Sequence, residues 1–387
     1  MEIETWHLLV LPLFFVIGWL AARVDIRHLM KESRAIPASY FKGLNFLLNE
    51  QPDKAIEAFL EVAKLDPDTL ELHFALGALF RRRGELDRAI RIHQNLVDRS
   101  DLNQEHRQKA LFELGQDFFK AGLLDRAEDI FKRLETGIHA LEALRLLRDI
   151  YVLEKDWDLA IATVKRLDKL GSPSGHSDQA HYHCERAVNA LLAADESAVR
   201  DHLQQALQVN RKSVRALQLL GDLEARAGHD EQAIKAWREI EQVNPAYLPI
   251  VAERIFQAYR RLDRSREGIQ LLQGYLARQP SADLFHILFN AMVESEGWSA
   301  ARLASGEELK RNPNLRVLDD YLQARTAASE AESDLEIRMA QDLIHNQVGR
   351  MAHYRCERCG FKSGQFFWQC PACAVWESIP PERVMHD

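Results

Sequence analysis

Residues 77–97 read GALFRRRGELDRAIRIHQNLV, and their order of small and large residues recurs along most of the chain. Gly77, Phe80 and Ala89 hold three positions of this pattern. Earlier and later copies place the same residue types in matching positions: Gly43, Phe46 and Ala55, then Gly115, Phe118 and Ala127. A period of about 34 residues with small residues at fixed positions predicts repeated pairs of helices, in which the small residues let two helices approach closely.

Further copies, a clear one at Gly221 and weaker ones elsewhere, extend this pattern, which is typical of tetratricopeptide repeats, from about residue 39 to 313. The matching positions in these copies are Tyr151, Ala160 and Leu167; Ala187, Leu203 and Ala206; Gly221, Ala233 and Trp237; Tyr259 and Pro280; and Met292 and Pro313. About eight units result, the last two degenerate, and helices from Leu315 to Val348 are expected to cap them. The sequence therefore predicts an all-α tetratricopeptide-repeat superhelix.

Stacked helix pairs form a concave inner wall, and such walls bind peptides or helices of other proteins. In the first three units, the pattern predicts these wall positions: Tyr40, Leu44, Leu47, Phe74, Ala78, Arg81, Phe112, Gln116 and Phe119. The alternative is that several of them pack against neighbouring helices. Their mixture of apolar residues and arginine differs from the lysine and asparagine clamp with which some tetratricopeptide domains hold an acidic chain terminus.

Four of the five cysteines lie in CERCGFKSGQFFWQCPAC (Cys356–Cys373) as two C-x-x-C pairs. Two such pairs can bring four thiolates to the corners of a tetrahedron around zinc or a single iron ion. Disulfides are the rival interpretation, but this spacing is the usual one for a metal. A four-thiolate site leaves no open coordination position, which favours a structural role over catalysis. Nearby aromatic residues are expected to form a small core: Tyr354, Phe361, Phe366, Phe367, Trp368 and Trp376.

The segment Thr5–Ala22 contains no charged residue and is just long enough for a helix to cross a bilayer. Trp6 and Trp19 lie near its two ends, as interfacial anchors do. A cleaved signal peptide and a buried helix are the alternatives, but Glu2 precedes the segment where a signal peptide has basic residues. The basic residues follow it, which predicts a cytoplasmic body: Arg23, Arg27, Lys31 and Arg34.

The remaining composition argues against other classes of function. A formal charge of −8 over 387 residues, without a basic stripe, makes nucleic acid an unexpected partner. No nucleotide-binding, metalloprotease or serine hydrolase motif occurs in a fitting context. In HYHC (His181–Cys184), His181 and His183 point to nearly opposite sides of a helix, which disfavours a second metal site. Cys184 is expected to be a small apolar core residue.

The predicted parts follow one another in an order that is typical of a known protein family: one N-terminal span, a repeat array, then the segments YRCERCGF and FWQCPAC. With GLNFLL (43–48), RGELDRAIRIHQNL (83–96) and AGLLDRAEDIF (121–131), the chain resembles the lipopolysaccharide assembly protein B family of Gram-negative bacteria. The resemblance implies a rubredoxin-like module in which one iron ion, or zinc as the alternative, is bound by Cys356, Cys359, Cys370 and Cys373. The chain departs from a full rubredoxin because only ten residues separate the pairs and Ala374 replaces a glycine.

The resemblance also implies a function. Members of the family act as inner-membrane adaptors that promote degradation of the lipid A deacetylase LpxC by the protease FtsH, together with a further inner-membrane regulator. Other lipopolysaccharide assembly or transport proteins are further expected partners. A scaffold that gathers such proteins without controlling proteolysis, and a redox protein with an iron site, are the alternatives. Whether two copies associate into a homodimer is left open.

Four domains follow from these predictions: a transmembrane anchor (1–22), a cytoplasmic linker (23–37), the repeat array with its capping helices (38–348) and the metal-binding module (349–387). We further expect the module to fold back on the array and to fix a binding surface there.

Overall fold

The computed structural model describes residues 19, 41–43, 45–46, 49, 51–65, 70–172, 176–328, 335–351 and 353–384. Apart from Trp19, the predicted membrane span lies outside these residues, as does the predicted linker. Within the described ranges, no helix is both long enough and apolar enough to cross a membrane.

The described part of the chain is mostly helical. The helices, numbered in chain order, are α1 (Pro52–Leu65), α2 (Leu70–Arg82), α3 (Leu86–Val97), α4 (Gln104–Lys120), α5 (Leu124–Arg133), α6 (Ala140–Glu154), α7 (Trp157–Lys169), α8 (His176–Leu192), α9 (Glu196–Val209), α10 (Val214–Arg226), α11 (Asp230–Val243), α12 (Leu248–Arg261), α13 (Ser265–Arg278), α14 (Ala282–Glu296), α15 (Trp298–Arg311), α16 (Leu315–Ala328) and α17 (Leu335–Met351). A 3₁₀ turn, Pro245–Tyr247, precedes α12, and two short strands, β1 (Tyr354–Arg355) and β2 (Lys362–Ser363), follow α17.

The chain divides into two compact units, Met1–Ile150 and Tyr151–Asp387. In the first unit, α2 packs against α3 and α4 against α5. In the second, α8 packs against α9, α10 against α11, α12 against α13 and α14 against α15, and α17 packs on α16. These pairs are the predicted repeat units, and α16 and α17 occupy the predicted capping region. Helix α17 ends three residues beyond the predicted boundary at residue 348.

A repeated close approach explains the glycine of the pattern. A Cβ atom added at Gly77 would lie 2.3 Å from Nε2 of His93, and one added at Gly221 would lie 2.3 Å from Nε1 of Trp237. The same relation holds between Gly43 and Phe59, at 2.5 Å, and between Gly115 and Phe131, at 2.7 Å. The small residue therefore makes room for one large ring from the partner helix of its own pair.

The turn inside each pair carries a second mark of the repeat, one residue with positive φ. Their φ angles range from 55° at Asp263 to 84° at Gly297. The residues are Gly84, Gly122, Lys155, Ala194, Gly228, Asp263 and Gly297. Such a left-handed residue ends a helix and reverses the chain within a few residues. Because it recurs between α2 and α3 and in every later pair up to α14 and α15, the repeat continues through the units whose sequence pattern is weak.

The C-terminal module is held together by one short strand pair and by backbone hydrogen bonds between its loops. Strands β1 and β2 pair antiparallel, with Tyr354 opposite Ser363. His353 and Val384 exchange two backbone hydrogen bonds of 3.2 and 2.8 Å, which joins the end of the module to its beginning. So small a module has little apolar core of its own and needs a further constraint to stay folded.

Candidate metal centre and its docking face

The four cysteine sulfurs of the module lie together. Sγ of Cys356 is 3.7 Å from Sγ of Cys373, and Sγ of Cys359 is 3.7 Å from Sγ of Cys370. All four sulfurs lie within 4.8 Å of one another. A tetrahedral ion with metal–sulfur bonds of about 2.3 Å would separate its ligands by about 3.8 Å, so the observed spacing fits such an ion.

Two turns of the same geometry present these sulfurs. The N–H of Gly360 donates to the carbonyl of Cys356 at 2.9 Å, and the N–H of Ala374 donates to the carbonyl of Cys370 at 2.8 Å. The residue directly after each C-x-x-C pair adopts positive φ, 75° at Gly360 and 55° at Ala374. This conformation folds each C-x-x-C pair back on itself, so that both of its sulfurs can reach one ion.

The thiolate form that a metal requires is favoured at Cys356, whereas burial and the neighbouring thiols raise the pKa of Cys359 to about 12. The Ser378 hydroxyl lies 3.4 Å from Sγ of Cys356 and, with backbone N–H groups of the first turn, lowers the pKa of that thiol to about 6. Thiolates in this tetrahedral arrangement suit zinc and a single iron ion alike. Because all four ligands come from the protein, the site is closed and is suited to a structural role.

The module is docked on the helices of its own unit, first through Trp376. Its ring stacks on the imidazole of His181 in α8, with centroids 4.6 Å apart and planes 7° from parallel. The guanidinium of Arg215 lies 5.4 Å from the centroid of the same tryptophan. The neighbouring Glu377 carboxylate lies 3.1 Å from Nε2 of His181. A stacked pair, a cation–π contact and a charged hydrogen bond thus meet at one point.

A second contact is made by Trp368, whose ring stacks on Tyr247 with centroids 5.3 Å apart and planes 1° from parallel. Burial at this contact raises the pKa of Tyr247 to about 12. A third contact joins the backbone N–H of Arg383 to the carboxylate of Asp283 in α14, at 2.9 Å. The module therefore touches three separate places on the helices, which fixes its orientation on them.

These contacts confirm the prediction that the module folds back on the array, and they correct its predicted core. Tyr354, Phe361, Phe366 and Phe367 pack around the cysteines as expected. Trp368 and Trp376 instead pack on the helices of the array, because a module this small has more large rings than it can enclose.

The HYHC segment supplies part of the docking face. His181 is 1% exposed and binds the module, and Tyr182 on the same turn contacts Trp376 edge to face. Within the described residues, the four-cysteine group is the one cluster of His, Cys, Asp and Glu side chains with the spacing for a metal. Cys184 is fully buried, and burial raises the pKa of its thiol to about 12, in agreement with its predicted role as an apolar core residue.

The predicted wall positions have mixed outcomes. Tyr40, Leu44 and Leu47 lie outside the described residues. Phe74 and Phe112, 6% and 8% exposed, were wrongly placed on the wall, because Phe74 packs with Leu96 and Ala110 and Phe112 stacks on His139. Ala78, Arg81, Gln116 and Phe119 are partly exposed, so contact with a partner stays a prediction for them.

Arg81 has a structural role that the sequence pattern did not predict. Its guanidinium binds Glu113 at 2.6 Å and Asp117 at 2.8 Å, both in α4. The second carboxylate oxygen of Asp117 lies 2.5 Å from Nδ1 of His93. His93 and Asp117 are fully buried, so Arg81 completes a polar network between helices of the first unit. The clue in the sequence was His93, which occupies the position of Phe59 in the preceding copy.

Comparison with known proteins agrees with both parts of the chain. Residues 354–381 match the family described as "Rubredoxin metal binding domain", and residues 42–103 match "Tetratricopeptide repeat". "Lipopolysaccharide assembly protein B" of Escherichia coli (strain K12) is 32% identical over 379 residues, which cover 97% of each chain. The protein of the same name from Haemophilus influenzae is 29% identical and covers 96% of this chain and 97% of its own length. Among solved structures, "Crystal structure of MamA protein" is 18% identical, covers 46% of this chain and 92% of its own, and has a TM-score of 0.31.

Proposed function

The chain belongs to the lipopolysaccharide assembly protein B family, and from this membership we propose that it is a membrane-tethered cytoplasmic adaptor in lipopolysaccharide assembly. The observation that supports the adaptor role best is the docking of the metal-binding module on the repeat helices. The docked module and the helices together form one continuous surface that a partner protein could bind. A site closed by four protein ligands supports a binding protein over an enzyme.

In the proposed mechanism, the adaptor captures the lipid A deacetylase LpxC and presents it to the membrane protease FtsH. A single N-terminal span in the bacterial inner membrane would hold the body on the cytoplasmic side. Tethering raises the effective concentration of a captured client near a membrane protease without any new contact. An inner-membrane regulator and other lipopolysaccharide assembly or transport proteins are the further partners of this proposal.

The metal's part in the mechanism is structural. Cys356, Cys359, Cys370 and Cys373 would hold one iron ion, or zinc, and the ion supplies the crosslink that so short a module lacks. The protein's own residues do the rest: His181 and Tyr247 receive the two tryptophan rings, and Asp283 receives the backbone N–H of Arg383.

The half-life of LpxC after arrest of protein synthesis tests this proposal. We expect depletion of the chain to lengthen the half-life several-fold, and His181→Ala to lengthen it in part because that variant loosens the docked module. Leu192→Ala is the matched control, since Leu192 lies on the same helix and is 83% exposed. An unchanged half-life after depletion would contradict the adaptor role and favour the scaffold.

The tether is tested separately by removing residues 1–22. We expect the shortened chain to leave the membrane fraction while keeping its metal, and LpxC to be degraded more slowly at the same level of adaptor. A shortened chain that still sediments with membranes and still promotes degradation would contradict the proposed span.

A further inference from the structure

Helix α17 is the last helix of the array, and one of its faces carries large apolar side chains that are exposed. Leu335, Met339 and Leu343 are 70%, 58% and 70% exposed. Residues four apart lie about 40° from each other around a helix, so these three form one continuous line, which we call the apolar stripe. The terminal unit of a repeat array normally has a polar outer face. The apolar stripe departs from that rule and indicates an interaction surface.

The opposite face of α17 is fixed on α16, so the apolar stripe points away from it. The hydroxyl of Thr326 in α16 donates to Oε1 of Gln341 at 2.7 Å. Nδ1 of His345 lies 2.9 Å from Oδ2 of the buried Asp319. Val348 is 6% exposed. A rotation of α17 about its own axis would break these contacts, so the helix keeps the apolar stripe on its outer side.

The charges beside the apolar stripe argue against a lipid surface as its occupant. Apart from His345, the exposed ionisable residues of α17 are two acidic and two basic ones: Glu336, Asp342, Arg338 and Arg350. A helix that lies on an anionic membrane has an excess of basic residues on its polar face. A neutral balance of charge therefore favours a protein as the partner of the apolar stripe.

The apolar stripe is complementary to a second copy of itself. It is symmetric about Met339, because Leu335 and Leu343 lie four residues to either side. In an antiparallel pair with its two-fold axis at Met339, Leu335 of each copy meets Leu343 of the other, and the two Met339 side chains meet each other. The dipoles of two adjacent helices favour this antiparallel direction.

The charges on one flank of the apolar stripe are complementary in the same arrangement. Arg338 and Asp342 are exposed and lie on the same flank, because they are four residues apart. A two-fold axis perpendicular to both helices brings equal flanks together, so Arg338 of each copy faces Asp342 of the other with an axial offset of about 3 Å. Two reciprocal ion pairs thus select this register, although exposed ion pairs add little affinity.

We propose that the apolar stripe binds the apolar stripe of a second copy of this chain, as an antiparallel helix pair. Three side chains from each copy cover less than the about 800 Å² per partner of a standard stable interface. The pair is therefore weak in dilute solution and forms where copies are concentrated, as on a membrane. The pairing goes beyond the proposed function and needs no client, and only the gain from confinement rests on the proposed span.

Disulfide formation between single added cysteines tests the pairing. The full chain, solubilised in detergent and metal-loaded, is mildly oxidised at about 10 and about 100 μM, with the wild-type chain as the baseline for the native cysteines. We expect Met339→Cys to form a covalent dimer, with a higher yield at the higher concentration. Leu192→Cys, on α8 and 83% exposed, is the matched control and should stay at the baseline.

Two further variants identify the direction of the pair. In the antiparallel arrangement, the two copies of residue 335 lie about 12 Å apart along the helices, as do the two copies of residue 343. We therefore expect Leu335→Cys and Leu343→Cys each to form little covalent dimer alone. A mixture of these two variants should form it readily, because residue 335 of one copy faces residue 343 of the other.

Sedimentation of the full chain over the same concentrations gives an independent measurement of self-association. We expect Met339→Glu and Leu343→Glu each to weaken it at least about tenfold, because each would bury a charge without a partner. Leu192→Glu should have no effect. Asp342→Arg alone should weaken association several-fold, and Arg338→Asp in the same chain should restore it. Metal content and helical circular dichroism show whether each variant is folded.

Several results would overturn the proposal. These are a yield of covalent dimer from Met339→Cys no higher than that from Leu192→Cys, and wild-type self-association of both glutamate variants. Covalent dimers of Leu335→Cys alone and of Leu343→Cys alone, as abundant as those of Met339→Cys, would mean a parallel pair and contradict the two-fold axis at Met339. If Met339→Cys in native membranes is joined to a different protein and not to a second copy, the apolar stripe has another occupant and the proposal is wrong.

Discussion

At the residue level, the two metal-binding turns differ at one matched position. Gly360 and Ala374 both have positive φ, and a Cβ added at Gly360 would meet no atom within 4 Å. The side chain at this position therefore costs free energy through backbone conformation alone. We expect Ala374→Gly to stabilise the module by up to about 1 kcal/mol and Gly360→Ala to destabilise it by a similar amount.

Metal retention during denaturant titration measures both changes. The two variants are controls for each other, because they add and remove the same methyl group in equivalent turns. Equal retention by both would mean that left-handed backbone strain has no effect on this site.

A buried histidine makes the second unit sensitive to acid. His183 is 5% exposed, and burial, with His202 and Lys165 nearby, lowers its pKa to about 4. The unfolded chain binds the proton at about pH 6.5, so the folded form loses stability as the pH falls from 6.5 towards 4. Above pH 6.5, where both forms are neutral, this contribution is fully present.

We expect the free energy of unfolding to fall by on the order of 2 kcal/mol over that interval. His183→Gln removes the ionisable group, and its unfolding should depend less on pH in the same interval. Urea denaturation at pH 7 and pH 5 measures the effect, and the value at pH 7 gives the packing cost of the substitution alone. The same pH slope in both proteins would contradict the assignment.

At the level of elements, helix α8 and the module stabilise each other. Docking favours the folded module, and the folded module holds the metal, so a substitution on α8 is linked to metal affinity. We expect His181→Ala to speed metal release to a chelator by about tenfold, since it removes a stacked ring and a charged hydrogen bond. Leu192→Ala, on the same helix, should release metal at the wild-type rate. Equal rates for the two variants would show that docking does not help to retain the ion.

The limits of sequence-based prediction also lie at this level. The repeat and the cysteine ligands could be predicted because each depends on spacing within a short segment. The docking face could not, because His181 and Glu377 are 196 residues apart and no periodicity connects them. The wall residues were predicted from helix positions alone. That prediction was wrong for Phe74 and Phe112, because rings of this size are stabilised more by burial between helices than by exposure.

At the level of the whole molecule, we expect metal removal to change the tryptophan fluorescence while it leaves the helical circular dichroism almost unchanged. Residues 353–384 contain only two short strands, so chelation should change helical circular dichroism little. Tryptophan fluorescence should shift to longer wavelength, because Trp368 and Trp376 leave their stacked positions and enter water. The variant Trp376→Phe should show a smaller shift. A collapse of the helical signal on chelation would instead mean that the ion also holds the helix pairs together.

The position of the docked module along the chain also affects biosynthesis. A ribosome makes the helices that carry His181, Tyr247 and Asp283 well before it makes the segment that covers them. Until residue 384 has emerged and an ion has been captured, the rings of His181 and Tyr247 lack their tryptophan partners and form an uncovered apolar patch. We expect a prematurely terminated polypeptide to keep this patch uncovered and so to be bound by chaperones and degraded, whereas a finished, metal-loaded chain covers it.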